Sequence, residues 1–556
     1  MSQCSITQRP AITKTTEINT GMKTKHLFLT GLAAAVLTAC GGGGGDSTTT
    51  APAATKITGT AAVGAALGGA TVQAKCATGS GTATTAADGS FTLSIGGATR
   101  PCVLSVKTPD GTTLHSVVEA GTGTTAVANI TPLTELVTAS LAQGSTTAFF
   151  DQFDATAQAK LTSDNLTSAT EAVRLVLTGV VDLTSVDPLK DPLVAANGAN
   201  AGNAQDKLLD QLGDRLEASQ TTLGELSSAV AANADAAAVQ TALQPAASSC
   251  AGLKTGKYHV IGLGSAAAEA GDLDAAALKL QVGNESVPFT AVANDNCRFT
   301  VPGTNGTTNT VMVAKSGIAL AVPPAGPMSD LPTLLLPAQA VALADLAGDW
   351  NGLGMERDHG GTPYASRRVT FSIDAAGKLT KGADCSGVNT CEAWLPEELP
   401  TLSANADGSF RITDSFGSQL AYAFKGTDGQ VTVVITHDDG FMFAAKQVVR
   451  PLPVVGATNS YWDTVMLGGL VPTLQNPGTW STVVTVVDAQ TGSYTRKRVE
   501  DGRLDSWKVN SPANGLRYRA ASSNASEMIS LVPGNTGLGL GIAVNGSFYD
   551  ISVNRP

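Results

Sequence analysis

Two short charged clusters contain the residue types that could perform acid–base chemistry or bind a cation. Glu356-Arg357-Asp358-His359 precedes two glycines, and His437-Asp438-Asp439-Gly440 lies between two apolar runs. A histidine beside a carboxylate can transfer protons, and several carboxylates can ligate a hard cation. Tight turns also favour aspartate and glycine for backbone reasons. The sequence favours solvated turns at both places, and we assign no catalytic, cofactor-binding or metal-binding residue.

The better-defined catalytic motifs are absent from the sequence. It has no G-x-S-x-G nucleophile elbow, phosphate-binding P-loop, H-E-x-x-H motif or EF-hand loop. Trp394, Trp462, Trp480 and Trp507 could stack on sugar rings, but packing within β-domains is the favoured interpretation. Catalytic carboxylates brought together only by the fold would leave no such motif. The sequence therefore favours a non-enzymatic role and keeps an exported hydrolase as the alternative.

Six of the eight cysteines fall into three local pairs. Cys4 and Cys40 lie near the N-terminus, and no C-x-x-C motif is present. The histidines are too scattered to complete a zinc site, so disulfides are favoured over a metal. Six cysteines allow fifteen connectivities. The clustering favours the pairs Cys76–Cys102, Cys250–Cys297 and Cys385–Cys391.

The elements that hold these residues begin with a β-rich segment, residues 56–130. Its apolar residues alternate with period two, as in half-buried strands, and Asp88-Gly89 marks a hairpin turn. Ile57-x-Gly59, Ala70-x-Val72 and Asp88-Gly89-x-Phe91-x-Leu93 together resemble the carboxypeptidase-regulatory-like, transthyretin-like β-sandwich. This resemblance implies a spacer or stability module in which Phe91 fills the core and the Cys76–Cys102 bond joins two strands.

Residues 131–246 change to helical periodicity. Thr131-Pro132 has the residues of a helix N-cap and first turn, followed by an apolar stripe. Further helices are expected over residues 149–161, 168–178, 204–219 and 231–243. The segment resembles the helical insert that follows T-P-L-T-type motifs in other bacterial lipoproteins, which implies a packing module or spacer.

Residues 250–556 return to period-two alternation in many short runs. We expect β-rich sections over residues 250–345, 346–452 and 456–556, with residues 323–340 as a connector. Tyr258, Trp350 and Trp462 open successive sections, which indicates an internal repeat. The predicted fold class is therefore multidomain and mainly β. It comprises a small β-sandwich, a helical segment and a β-rich C-terminal region of two or three antiparallel meanders, barrel-like or sandwich-like.

A short apolar run near the N-terminus ends in Leu37-Thr38-Ala39-Cys40. With the basic residues before it, this run resembles the lipobox of bacterial lipoproteins. The resemblance implies a signal peptide over residues 22–39, acylation of Cys40 and a flexible tether over residues 40–55. Because the next residue is Gly41, it also implies the outer membrane of a Gram-negative bacterium, at the cell surface or the periplasmic face. Residues 1–21 precede this leader and are interpreted as a mis-called start.

The charge balance limits the partners of the mature chain. The 35 basic and 46 acidic residues fall to 31 and 45 once residues 1–39 are removed, because that segment holds four basic residues and one acid; the net charge becomes −14. Nucleic acid is excluded, since it requires basic patches. The lipid anchor at Cys40 makes the membrane one partner, and a protein or glycan ligand another. We therefore expect a non-enzymatic lipoprotein with a binding or envelope-structural role. The alternatives are an exported hydrolase of polysaccharide or polyester, and an accessory lipoprotein of a secretion or adhesion system.

Overall fold

The computed structural model describes residues 54–198, 200–328, 331–358, 360–415 and 417–556. The predicted signal peptide, the lipidation site Cys40 and nearly all of the tether lie outside these ranges. Within the described ranges, no helix has both the length and the apolar content required to cross a bilayer.

Seven strands form a small β-sandwich at the start of the described chain. They are β1 (Ala54–Thr60), β2 (Thr71–Thr78), β3 (Ser80–Thr84), β4 (Ser90–Gly96), β5 (Thr99–Lys107), β6 (Thr113–Val118) and β7 (Thr125–Val127). One sheet has the order β4-β1-β7 and the other β3-β2-β5-β6. Their facing sides bury Ile57, Phe91 and Leu104. The Cys76–Cys102 disulfide joins directly opposed positions of β2 and β5.

The turn into β4 explains why glycine follows Asp88. The Asp88 Oδ1 atom accepts hydrogen bonds from the backbone N (3.0 Å) and the Oγ (2.7 Å) of Ser90. Gly89 has a φ of +79°, and a Cβ at this position would lie 2.5 Å from the carbonyl oxygen of Ala61. Glycine relieves both constraints, and Phe91 then enters the core, where it is 5% exposed.

Seven helices follow within the described ranges. They are α1 (Pro132–Ala142), α2 (Thr146–Asp151), α3 (Ala155–Ala159), α4 (Ser163–Val176), α5 (Ala204–Ser219), α6 (Leu223–Ala231) and α7 (Ala236–Ala242). The Thr131 Oγ1 atom accepts from the backbone N of Thr134 at 3.2 Å, so Thr131 caps α1 as predicted. Leu133 and Leu136 of α1 pack with Val103 and Val117, so the helices cover the outer face of the four-stranded sheet.

Three helix predictions were wrong in extent. The helix expected over residues 168–178 is α4, which starts earlier, at Ser163 after the Thr162 cap, and ends at Val176. The helix expected over residues 149–161 is divided into α2 and α3, because Asp154 accepts hydrogen bonds from two backbone N–H groups and starts a new helix. The helix expected over residues 231–243 is only α7, which Asp235 caps. The sequence analysis missed α6, which begins after a capping box formed by Thr222 and Glu225.

The β-rich remainder begins with a short hairpin and a nine-stranded antiparallel sheet of order β13-β12-β11-β10-β19-β17-β16-β15-β14. The hairpin is β8 (Ala246–Ala247) and β9 (Cys250–Lys254), and Cys250 is bonded to Cys297. The following strands are β10 (Gly256–Gly262), β11 (Glu269–Asp274), β12 (Lys279–Val282), β13 (Glu285–Pro288), β14 (Thr290–Ala291), β15 (Arg298–Pro302), β16 (Thr308–Val313), β17 (Ala319–Val322), β18 (Gly326–Pro327) and β19 (Thr333–Pro337).

The prediction that residues 323–340 form a connector was wrong in part. Strand β19 lies between β10 and β17 in the middle of the first sheet. Its three leucines, Leu334, Leu335 and Leu336, are at most 3% exposed. A short run that is apolar on both faces does not alternate, so period-two patterning gave no signal for this strand.

The second sheet has nine antiparallel strands in the order β23-β22-β21-β20-β28-β27-β26-β25-β24. The Cys385–Cys391 disulfide joins opposed positions of its edge hairpin. The strands are β20 (Gly348–Glu356), β21 (Ala365–Ile373), β22 (Leu379–Cys385), β23 (Cys391–Ala393), β24 (Thr401–Ala404), β25 (Phe410–Thr413), β26 (Ser418–Lys425), β27 (Val431–His437) and β28 (Gly440–Lys446).

The third sheet closes into a barrel. Its strands are β29 (Thr458–Leu467), β30 (Thr473–Leu474), β31 (Gly478–Asp488), β32 (Ser493–Arg498), β33 (Leu504–Val509), β34 (Leu516–Arg519), β35 (Met528–Leu531), β36 (Leu538–Ala543) and β37 (Phe548–Asn554). Strand β29 pairs with β31 on one side and β37 on the other. Eight antiparallel strands therefore form a ring, while β30 and β18 extend from β29.

The three sheets repeat one strand order, as the sequence predicted. In each, the strand that carries Tyr258, Trp350 or Trp462 pairs with the last strand of its own section. The first two sheets have unpaired ends, whereas β33 and β34 pair in the third. That one additional pairing converts the shared strand order into a closed barrel.

One hydrophobic core joins the three sheets. It includes Leu320 of the first sheet, Phe443 of the second, and Trp462 and Tyr549 of the third. Side chains alternate along a strand, so the neighbours of Trp462 and Tyr549 point the other way, into the barrel. Asp463 and Asp550 are among these inward-facing residues.

Candidate functional site

The two charged clusters identified in the sequence lie side by side. Strands β20 and β28 are antiparallel neighbours, with Glu356 opposite Gly440. Arg357 Nε donates to Asp439 Oδ1 at 2.7 Å. His437 Nε2 lies 3.6 Å from Glu356 Oε1. The charged groups compensate one another at the end of a hairpin, which leaves this location a weak candidate for chemistry.

The remaining members of these clusters add no ligand set. Asp358 forms an ion pair with Arg367 on the neighbouring strand. His359 lies outside the described residues. Among the described residues, no group of three or more His, Cys, Asp and Glu side chains is arranged to hold a metal ion.

The four tryptophans considered for sugar stacking contact other parts of the protein. Trp462 and Trp507 are 0% and 2% exposed, so the packing interpretation is confirmed for both. Trp394 Nε1 donates to Asp384 Oδ2 at 2.7 Å. The Trp480 ring lies 3.8 Å from the guanidinium carbon of Arg498.

The barrel interior contains a charged cavity of about 410 Å³. Strand order places β33 and β34 across the ring from the β29–β37 pair. We call the arginines of β32–β34 and the adjoining turn the arginine wall, and Asp463 with Asp550 the aspartate pair. The arginine wall consists of Arg496, Arg498, Arg503, Arg517 and Arg519. The uncharged polar residues around the cavity include Asn459, Tyr461, Gln475, Asn524, Ser526, Ser530, Ser552 and Asn554.

Two glycines of β36 leave space for side chains inside the barrel. A Cβ at Gly539 would lie 2.5 Å from Ser552 Oγ, and a Cβ at Gly541 would lie 1.8 Å from Met528 Cε. A larger residue at either position would displace these side chains. Glycine at both positions therefore leaves room for the Ser552 and Met528 side chains inside the barrel.

A buried carboxylate, Asp505, organises the arginine wall. Its side chain is 1% exposed and accepts from Arg519 Nη1 at 3.0 Å and from Arg503 Nη2 at 2.9 Å. Arg496 Nε lies 3.9 Å from the same carboxylate. The negative charge of Asp505 therefore attracts three guanidinium groups, and the planar geometry of their N–H donors fixes their orientation.

The indole of Trp507 supports the same arginines from one side. The guanidinium carbons of Arg496, Arg517 and Arg519 lie 5.3, 5.1 and 5.1 Å from its ring centroid. Such cation–π contacts each contribute on the order of 1 kcal/mol. Trp507 Nε1 is buried and, within the described part of the chain, has no hydrogen-bond partner.

The two carboxyl groups of the aspartate pair lie beside each other, and their surroundings favour the protonated form. Burial raises the pKa of Asp463, and Asp550 is within hydrogen-bonding reach of it. Burial and the neighbouring Asp463 charge raise the pKa of Asp550 well above its ordinary value. Two adjacent buried carboxylates do not both ionise, because like charges repel in a medium of low polarity. Burial and the neighbouring carboxyl therefore favour the protonated form of Asp550 over a second negative charge.

The cavity carries a surplus of positive charge. Arg498 is paired with Asp501. The other four arginines face three carboxyl groups, those of Asp505 and the aspartate pair, so arginines outnumber carboxyls even if every carboxyl is ionised. Part of this excess positive charge lies at Arg517. Among the described residues, its Nη atoms donate to neutral oxygens, Tyr494 OH at 2.9 Å and Ser530 Oγ at 3.0 Å.

Sequence reasoning missed this site although a signal was present. Tyr494-x-Arg496-x-Arg498, Asp505-x-Trp507 and Arg517-x-Arg519 place polar residues two apart, on one face of each strand. We interpreted the alternation only as half-buried strands. Which face becomes the interior depends on the pairing of β29 with β37, between residues about ninety positions apart.

A second, larger cavity of about 1020 Å³ lies where α6 and α7 meet the β-rich region. Lys254 Nζ donates there to the carbonyl oxygen of Ser219, and burial lowers the pKa of Lys254 to about 8. Lys425 pairs with Asp235 and Asp345 at 3.1 and 3.2 Å. Because its cations have protein partners, this cavity is the weaker candidate.

Comparison with known proteins identifies a distant structural neighbour. No protein-family model matches the chain, and no curated protein matches it. The crystal structure of a DUF3598-family protein of unknown function from Nostoc punctiforme is similar at 10% sequence identity. The match covers 39% of this chain and 99% of that chain, with a TM-score of 0.14. A likeness of this size supports no conclusion about fold or function.

Proposed function

We propose that this protein is a non-enzymatic outer-membrane lipoprotein that binds a small anionic ligand inside its C-terminal barrel. Cys40 supplies the lipid anchor, and residues 40–55 tether the folded part to the membrane, at the cell surface or the periplasmic face. The N-terminal sandwich, of the carboxypeptidase-regulatory-like class, and the helices form a stalk. The barrel is the ligand-binding part.

The observation that carries the proposal is the charge of the cavity. The whole chain has a net charge of −11, yet the arginines that line the barrel interior outnumber its carboxyl groups. Concentrating arginines in a protein interior is costly unless an anion or a carboxylate offsets them. A planar guanidinium binds carboxylate or phosphate through two parallel hydrogen bonds. An anion that enters the cavity would therefore complete the arginine wall.

The test is calorimetric titration of the full-length protein in detergent with phosphate, succinate and D-glucuronate. We expect at least one of these anions to bind. Arg517→Gln should weaken that binding at least tenfold, since no carboxylate among the residues that the structure describes forms an ion pair with Arg517. Absence of binding by all three anions would refute the proposal.

A matched control comes from the same barrel. Lys497 lies between Arg496 and Arg498 on β32, and its side chain is exposed on the outer face. Lys497→Gln removes the same unit of charge without altering the cavity. Equal losses of affinity in Lys497→Gln and Arg517→Gln would show that the net charge of the protein, and not the arginine wall, attracts the anion.

A second candidate is an exported hydrolase of polysaccharide or polyester, because two carboxyl groups face each other in a cavity. One is protonated and the other ionised, as a general acid and base require. Their direct contact, however, leaves no space for the water or sugar ring that separates the carboxyls of glycosidases by about 5 to 9.5 Å. Turnover of a glycoside or ester that is lost in Asp463→Asn would favour this candidate over binding alone.

A further inference from the structure

We infer that the ligand of the barrel is a hydroxylated carboxylate, such as a uronic acid. This inference rests on the proposed anion-binding function and adds a second requirement, hydroxyl groups. The two requirements correspond to the two sides of the cavity, the arginine wall and the aspartate pair.

The arginine wall supplies donors that lack partners. Trp507 and Arg519 are 2% and 8% exposed, and both border the cavity. Their Nε1 and Nε atoms have no hydrogen-bond partner among the described residues. Buried donors are normally satisfied, so these positions indicate a missing acceptor, bound either directly or through water. A carboxylate is such an acceptor and also offsets the surplus charge.

The opposite side supplies acceptors. The Asp463 carboxyl borders the cavity and lies within hydrogen-bonding reach of Asp550. An ionised carboxylate only accepts hydrogen bonds. A second fully charged anion would be repelled there, whereas a hydroxyl group can donate to Asp463. Ser552 and Asn554 continue this neutral or acceptor surface along β37.

The dimensions agree with one compact molecule that contacts both sides. A cavity of about 410 Å³ lies near the lower end of the range usual for ligand pockets. A molecule with a carboxylate at one end and hydroxyls at the other can contact Arg517 and Asp463 together. A dicarboxylate would place a charge against the aspartate pair, and a neutral sugar would leave the arginine wall uncompensated.

The experiment compares D-glucuronate, succinate and D-glucose in titrations of the full-length protein. We expect glucuronate to bind at least tenfold more tightly than either of the others. Succinate binding equal to glucuronate would overturn the hydroxyl requirement and leave the anion-binding function intact. Binding of none of them would overturn this inference, and the phosphate titration would then decide whether the anion-binding function stands. Binding of glucose as tightly as glucuronate would overturn the requirement for a negative charge, and with it both proposals.

Asp463→Asn separates the two requirements. The substitution conserves the shape of the side chain but removes its negative charge, which accepts hydrogen bonds from hydroxyl groups. We expect it to reduce the preference for glucuronate over succinate at least fivefold, while Lys497→Gln leaves the preference unchanged. An undiminished preference in a variant whose circular dichroism and melting temperature match the parent would overturn the role of Asp463.

Discussion

The aspartate pair illustrates how a single protonation state sets the chemistry of a cavity. Asp550 lies near Asp463, Arg496 and Arg519, and burial is the main cause of its raised pKa. With Asp550 protonated, the pair acts as a donor and an acceptor in place of two repelling anions. The arginine wall consequently keeps its surplus charge.

The pair also predicts a pH dependence of stability. An unfolded aspartate loses its proton near pH 4, whereas folded Asp550 retains it to higher pH because it is buried. Folding thus takes up a proton between these values, so the free energy of unfolding falls as the pH rises through the folded pKa. Asp550→Asn cannot ionise and should lose less stability between pH 5 and pH 8.

Urea denaturation of both proteins at several pH values measures this difference. Asp214→Asn, on the exposed side of α5, controls for the change in net charge. A pH profile of Asp550→Asn as steep as that of the parent protein would contradict the assignment of the proton to the pair.

At the scale of single elements, two disulfides should differ in their contribution. Cys76–Cys102 closes a loop with a sequence separation of 26, and Cys385–Cys391 one of 6. Loop-closure entropy gives about 3.5 kcal/mol for the first and about 2.2 kcal/mol for the second. Replacing Cys76 and Cys102 by serine should therefore destabilise its sheet more than the same change at Cys385 and Cys391.

Hydrogen exchange can follow each disulfide separately. A loss of about 3.5 kcal/mol accelerates exchange by opening roughly 300-fold. We expect this for the amides of β2 and β5 in the first double variant, and a smaller increase for β22 and β23 in the second. A larger increase at β22 and β23 would contradict the loop-entropy argument.

Short-range sequence patterns predicted the caps, helix boundaries and turns that depend on residues adjacent in the chain. The Thr131-Pro132 cap, the α5 boundaries and the Asp88-Gly89 turn were all legible in the sequence. Strand β19 was missed because both of its faces are buried. The division at Asp154 was missed because aspartate also occurs within helices. The cavity was missed because its two sides come together only when β29 pairs with β37.

At the scale of the whole molecule, the lipid anchor should determine location. Acyl chains bound to one cysteine hold a protein on a membrane. Cys40→Ser should therefore release the protein from the outer-membrane fraction into the soluble periplasmic fraction, whereas Cys4→Ser should not. Density-gradient fractionation and mass spectrometry of the N-terminal peptide measure this. Retention of Cys40→Ser in the outer membrane would refute the lipobox interpretation.

The repeated strand order has an evolutionary consequence. Two rounds of gene duplication would produce three sections with the same strand order. In the second copy, Trp350 and Phe371 stack within a hydrophobic cluster, whereas in the third the corresponding space holds the cavity. The three copies would then have diverged from one ancestral section. The closed copy would have been selected for ligand binding, and the other two copies for packing of a hydrophobic core.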